Sequence, residues 1–163
     1  MDIHAGKFYH LKDEFFSFVN DNKLMANKEN GNLRPHFFFI ADANVDGIYW
    51  AVPLSSRVDK YRQLIQQKIN KHGRCNTIII GKMGGQDRVF LIQNMFPVIE
   101  KYVDHEHTIN GKGIKIHKTL EEQIRSNAKE VLNLRRRGMD FIFPDIDRIY
   151  SMLKDELLTY DND

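Results

Sequence analysis

The sequence predicts an α+β fold, a mainly antiparallel β-sheet with helices packed around it. Two observations carry this. Short apolar runs rich in aromatic and β-branched residues, HFFFIAD, IYWAVPL, CNTIIIGK and VFLIQN, are separated by turn-forming segments, which is the pattern of hairpins. Between and after them lie longer stretches with apolar residues at helical spacing, near residues 12–22, 57–71, 119–137 and 145–158.

In chain order, Phe8–Leu11 reads as an opening strand, and a helix over Lys12–Asn22 turns Phe15, Phe16, Phe18 and Val19 to one side. Asn27–Asn32 is polar and turn-forming. HFFFIAD and IYWAVPL pair across the turn Asn44–Gly47, with Tyr49 and Trp50 on opposite faces. Pro53 cannot donate to a ladder, so it marks an edge or the end of the strand. Ser55 or Ser56 stands where an N-cap belongs, before a helix to about Lys71. Cys75–Lys82 and Val89–Asn94 flank the Gly84-Gly85 turn as a second strand pair. Ile114–His117 reads as a further strand. Thr119 caps a helix to Arg137 that buries Leu120, Ile124, Val131 and Leu134, and the last helix runs from Asp145 to about Leu158. No repeat, linker or second domain is evident, so residues 1–163 form one domain.

The single cysteine, Cys75, excludes an intramolecular disulfide, so packing alone must hold the fold. The opening MDIHAGKFYH lacks the apolar core of a secretory signal, and no apolar run reaches the roughly 18 residues of a membrane span. A soluble cytoplasmic protein with no membrane partner is expected. The formal net charge is only +2 but is unevenly placed. Arg57–Arg88 holds eight basic residues, Lys68 and Lys82 among them, against Asp59 and Asp87, a net +6. From Met139 onward seven acidic residues oppose Arg148 and Lys154, a net −5. A basic block of this kind suits a polyanion, whose bound counterions it releases, and equally suits a solvated charged face.

Several chemistries find no support. The His105 and His107 pair around Glu106 would share one side of a strand but has no further ligands at recognisable spacing, so DHEH reads as a polar turn and no metal or other cofactor is expected. GKMGG lacks the lysine and hydroxyl that end a phosphate-binding loop, and there is no G-x-S-x-G elbow. VPLSSRVDKYRQ differs in kind. Two hydroxyls sit at a strand-to-helix junction where free backbone N–H groups favour an anion, with Arg57 adjacent and Lys60 one turn further on. Tyr61 could stack on a base. Metal-free RNA cleavage needs a base for the ribose 2′-OH, an acid for the leaving 5′ oxygen, and donors for the phosphoryl oxygens. Ser55, Ser56, Arg57 and Lys60 could supply the donors, Lys60 could also move a proton, and His36 could serve as base or acid. Each has a plainer reading: a helix cap, a solvated charge and a structural histidine.

These residues resemble the toxin components of type III toxin–antitoxin systems, the ToxN/AbiQ group, and its CptN-like branch above all. The resemblance runs through FYHLKDEFF, LMANKENGNLRPHFFF, IYWAVPLSSRVDKY, VFLIQNMFPVIEKY and QIRSNAKEVLNL, in that order. It implies a twisted antiparallel sheet wrapped by helices, related to the MazF/Kid fold. It also implies a metal-independent endoribonuclease that leaves a 2′,3′-cyclic phosphate and takes part in phage defence by abortive infection. The partner implied is a small repeated antitoxin RNA, cut by the toxin from its precursor and held in a closed RNA–protein assembly; cellular or phage RNA is the substrate. The family's hydroxyl pair falls on Ser55 and Ser56, the second most tied to activity, and His36 stands where other members carry lysine. The chain departs from the pattern at Val58, where relatives place a lysine, leaving Arg57 or Lys60 to replace it, and at Phe15, where some relatives have tyrosine. Lys28 and Arg34, with Asn27, could line an RNA groove or be plain loop residues, and Arg135 and Arg136 could touch antitoxin phosphates or close a helix. A non-catalytic RNA- or DNA-binding module is the alternative, and a structural or protein-interaction domain is more distant.

Overall fold

The eight-residue strand Ile48–Ser55 is the axis of the fold and ends on the hydroxyl pair. The structure is a computed structural model that describes residues 1–161; Asn162 and Asp163, the end of the expected domain and of its acidic block, lie outside the described residues. Its elements are β1 (Phe8–Leu11), α1 (Asp13–Val19), β2 (Lys28–Glu29), β3 (Asn32–Leu33), β4 (His36–Ala41), β5 (Ile48–Ser55) and α2 (Val58–His72). There follow β6 (Ile78–Met83), β7 (Gln86–Leu91), β8 (Phe96–Ile99), β9 (Val103–Glu106), β10 (Thr108–Ile109), β11 (Lys112–Gly113), α3 (Lys118–Arg136) and α4 (Ile146–Asp161). The α+β class and the antiparallel sheet are as the sequence predicts.

The main sheet has seven strands in the order β6-β7-β5-β4-β1-β9, with β8 also on β5, and every pairing is antiparallel. β5 serves two partners on one side: Ile48–Ala51 pairs with β8, and Leu54 and Ser55 pair with Phe90 and Val89 of β7. Met83 and Gln86 close the β6–β7 hairpin across Gly84 and Gly85, both at positive φ, which glycine adopts without steric cost.

Both faces of this sheet are buried, which is why HFFFI is continuously apolar rather than alternating. Phe37 and Phe39 pack with Phe8, Val52, Phe90 and the α3 residues Ile124, Ala128 and Val131. Phe38, one residue out of phase, joins Phe15 and Val19 of α1, Phe96, and Ile149 and Leu153 of α4 on the other face. A third cluster seats α2 through Tyr61 on Ile78, Val89 and Leu91.

Local structure departs from the sequence reading at definite points. α1 is shorter than expected, because Asn20 takes a left-handed conformation and its N–H closes on the Phe16 carbonyl. Within the polar turn Asn27–Asn32 lie the two short strands β2 and β3. Ile114–His117 is unpaired, and the buried Ile114 and Ile116 hold it down by packing alone. His117, not Thr119, caps α3: its Nδ1 accepts the Thr119 N–H at 3.1 Å. DHEH is no turn. Its first three residues and Val103 form the edge strand β9, with His105 opposite His10 of β1. β8, led by Phe96-Pro97, was not anticipated at all. Among the described residues no helix is long and apolar enough to cross a membrane.

Candidate active site

At the end of β5 the chain leaves the sheet and enters α2 through Ser55, Ser56 and Arg57. The expected side-chain cap does not form. Arg57 holds the N-cap position, Ser55 Oγ accepts the Arg57 N–H at 3.1 Å, and the Ser56 carbonyl accepts the Val58 N–H at 2.9 Å. This keeps both hydroxyls off the helix and turns them toward a cleft of about 250 Å³, lined also by Glu29, Arg34, Met83, Arg88 and His107. Ser55 is only 2% exposed, whereas Ser56 is open to solvent.

Glu29 of β2 closes on this pair. Its Oε2 accepts from Ser55 Oγ at 2.7 Å and from Arg34 Nη1 at 3.0 Å, and its Oε1 accepts from Ser56 N at 2.8 Å and Ser56 Oγ at 2.5 Å. Burial alone would raise its pKa, but the hydrogen bonds from Ser56 and Ser55 and the charge of Arg34 outweigh it and bring it down to about 2. Arg34 is itself 5% exposed and also donates to the Leu54 carbonyl at 2.7 Å and the Ala26 carbonyl at 2.9 Å.

The sheet curls so that Arg88, on β7, and His107, just beyond β9, share the cleft although three strands separate theirs. Arg88 follows from the register: Ser55 pairs with Val89, so Arg88 stands beside the serines. Its guanidinium donates to the Asp87 carbonyl and to Gln86 Oε1, and no carboxylate among the described residues forms an ion pair with it. His107 is half-buried, its N–H is fixed to the Phe8 carbonyl at 2.8 Å, and its Nδ1 is 2.7 Å from His10 Nε2. Burial first, then His105 and Arg88, lower its pKa. Burial, with His107 and His105, takes His10 down to about 4. The His105 ring lies 4.6 Å from that of His10, tilted by 33°, and its own Nδ1 meets Asp104 at 2.6 Å.

The sequence-derived candidates divide sharply on this geometry. Ser55, Ser56 and Arg34 line the cleft, and Arg34, nearly buried, is paired there with Glu29 rather than standing free in a loop. Lys28 is exposed on β2, next to Glu29. Arg57, at the N-cap of α2, and Lys60, within it, are exposed outside the cleft lining, with the Lys60 ammonium 5.2 Å over the Tyr61 ring. Tyr61 is buried under α2 and offers no face to a base. His36 lies 1% exposed behind the cleft, edge-on to Phe96, with the Tyr9 and Arg34 backbone close by but no hydrogen bond to either ring nitrogen. Burial, then Arg34 and His10, lower its pKa to about 3, which leaves it neutral and out of reach of a phosphate. Lys68 bonds Thr77 and Gln93, Lys82 pairs with Asp87, and Arg135 pairs with Asp147 and Asp140. Arg136 is exposed at the end of α3.

Sequence reasoning missed Glu29, Arg88, His107 and His10. Two of them left a trace: Arg88 as the last member of the Arg57–Arg88 basic block, and His107 in the period-two spacing with His105. Among the described residues no group of three or more His, Cys, Asp or Glu side chains is placed to hold a metal ion.

No protein-family profile matches the sequence, and no curated protein does. Solved structures do match the fold over nearly the whole chain. One comes from a bacterial antiviral system regulated by a processed non-coding RNA (TM-score 0.68, 14% identity, 91% of this chain and 98% of that one). A second is AbiQ, a lactococcal anti-phage endoribonuclease of a type III toxin–antitoxin system (TM-score 0.66, 14% identity, 98% and 100%). A third belongs to a type III system whose toxin is selectively inhibited by a non-coding RNA pseudoknot (TM-score 0.66, 18% identity, 94% and 98%). This chain has the fold of these proteins.

Proposed function

We propose that this chain, built on the fold of the type III toxin–antitoxin endoribonucleases, is itself such a toxin, a single cytoplasmic domain that cleaves RNA and is held inactive by a small repeated antitoxin RNA in a closed assembly. One observation carries the reading: two hydroxyls, an arginine without a carboxylate partner among the described residues and a histidine line one cleft. Those are the groups that metal-independent transesterification needs.

In this reading the phosphodiester lies against Ser56 and Arg88, whose donors take the negative charge that builds on the non-bridging oxygens. The ribose 2′-OH loses its proton to His107 Nε2 as the O2′–P bond forms. The P–O5′ bond then breaks, and the 5′ oxygen takes a proton back from His107 or from water, leaving a 2′,3′-cyclic phosphate. When His107 donates Nδ1–H to His10 Nε2, its Nε2 lone pair is free, which is the tautomer a base requires. Burial keeps the ring neutral near pH 7.

The test is direct. Purified protein should cut single-stranded RNA in excess chelator. Ser56→Ala should abolish cutting while leaving RNA affinity within a few-fold. Binding without any cutting, with or without magnesium, would instead favour a non-catalytic nucleic-acid module. Affinity that ignores salt would exclude both.

A further inference from the structure

We propose that the Glu29 carboxylate fills the seat of the substrate phosphate, so that RNA enters only as the β2–β3 hairpin carries Glu29 out. The proposal rests on the reading of the cleft as the RNA-cleaving site. Its two oxygens take four hydrogen bonds from Ser55 Oγ, Ser56 N, Ser56 Oγ and Arg34 Nη1. A backbone N–H, two hydroxyls and a guanidinium converging on one anion form a cradle equally matched to the non-bridging oxygens of a phosphodiester.

The hairpin stands apart from the ladder of the main sheet. β2 and β3 pair only with each other, Lys28 with Leu33 and Glu29 with Asn32, and join no strand of the main sheet. Asn30 and Gly31, both at positive φ, form its exposed tip. Beneath it, Arg34 N–H donates to the Asn27 carbonyl at 2.7 Å, and Asn27 is tied to Leu11 and Asp13, so the base is anchored while the tip is held by Glu29. Exchange of carboxylate for phosphate also keeps Arg34 paired throughout. Without either anion, a nearly buried guanidinium would lose its counter-charge.

A merely structural Glu29 and a competing one behave differently in Glu29→Gln. Removing the charge costs folding stability in both cases. Only the competing carboxylate also lowers RNA affinity in the wild type. A 2′-O-methyl RNA oligonucleotide, which cannot be cut because its 2′ oxygen is blocked, should bind Glu29→Gln about tenfold more tightly by anisotropy, a gain of about one decade in Kd. The melting temperature should fall. Equal or weaker binding would overturn the proposal. If the variant does not fold, hydrogen exchange on the wild type decides: adding the oligonucleotide should speed exchange of the hairpin amides at residues 28–33, and slower or unchanged exchange would equally overturn it. The parent reading is tested apart, by whether the wild type cuts unmodified RNA.

Discussion

His10 Nε2 stands 2.7 Å from His107 Nδ1, so a buried imidazole on β1 fixes the ring plane of one that faces the cleft. The bond joins β1, next to the edge strand β9, to the residue just beyond that edge, and His107 lines the same cleft as Ser56 and Arg88.

His107→Gln should therefore lower the cleavage rate by about 10²–10⁴ while RNA affinity stays within a few-fold. His10 acts through His107 and should behave as a positioning residue: His10→Phe keeps the packing but removes the partner nitrogen, and a loss of about tenfold in rate at unchanged KM is expected. The groups facing His107 are His10, His105 and Arg88; burial first, then His105 and Arg88, lower its pKa. Since the base must be neutral, the acid limb of the rate should lie below the usual imidazole value of about 6.5. A profile whose acid limb does not change in either variant would remove His107 from the mechanism.

Arg88 gives a second expectation. Arg88→Ala should cost about 10²–10³ in rate through lost charge stabilisation. It should also move the acid limb upward, because a cation that lowers the His107 pKa is gone. Arg57→Ala and Lys60→Ala, on the exposed face of α2, should change the rate less than about threefold and reduce only the salt dependence of binding. A large rate loss in Lys60→Ala with Arg88→Ala silent would reverse this assignment.

What the sequence could and could not say follows from the range of each interaction. Strands such as Phe37–Phe39 and the helices α2 and α3 were legible because apolar periodicity is local. Ser55 and Ser56 were legible because a hydroxyl pair at a strand-to-helix junction is a local pattern, and the resemblance singled them out as well. Glu29 was not, since its value comes from meeting serines 26 and 27 residues away. Arg88 needed the register that sets Ser55 opposite Val89, and His107 needed the curl of the sheet. Arg57 and Lys60, close to the serines in sequence, stand at the N-cap and on the exposed side of α2 and do not line the cleft. His36 misled because a histidine on a continuously apolar strand faces a core on either side.

Acid stability supplies a third prediction. His10 and His36 are depressed to about 4 and about 3 in the folded state. The unfolded chain therefore binds more protons between the ordinary imidazole value and these, and stability must fall as pH drops through that window, by up to about 1.4 kcal/mol per pH unit per group. Glu29, lowered to about 2, adds a second loss: its stabilisation is complete above the ordinary carboxylate value and disappears as pH falls from there toward 2. Denaturant unfolding at stepped pH should show stability declining from about pH 6.5 and steepening below about pH 4.5. A flat profile down to pH 4 would mean that the two histidines are not buried as neutral rings.

The last prediction separates His36 from the chemistry. Among the described residues neither ring nitrogen has a well-formed hydrogen bond, the ring lies against Phe96 and Phe16, and it is 1% exposed. A buried polar atom without a partner costs about 1–3 kcal/mol, so an apolar side chain of similar size should be neutral or stabilising there. His36→Leu should thus fold with unchanged or higher stability at pH 7 and should lose less stability than the wild type between pH 6.5 and 3, having removed one depressed imidazole. It should also cut RNA within about threefold of the wild-type rate, since nothing on the cleft wall changes. Loss of cleavage by orders of magnitude in a variant that melts like the wild type would put His36 back into the proton path, and would require the β4 strand to turn its first residue toward the cleft when RNA binds.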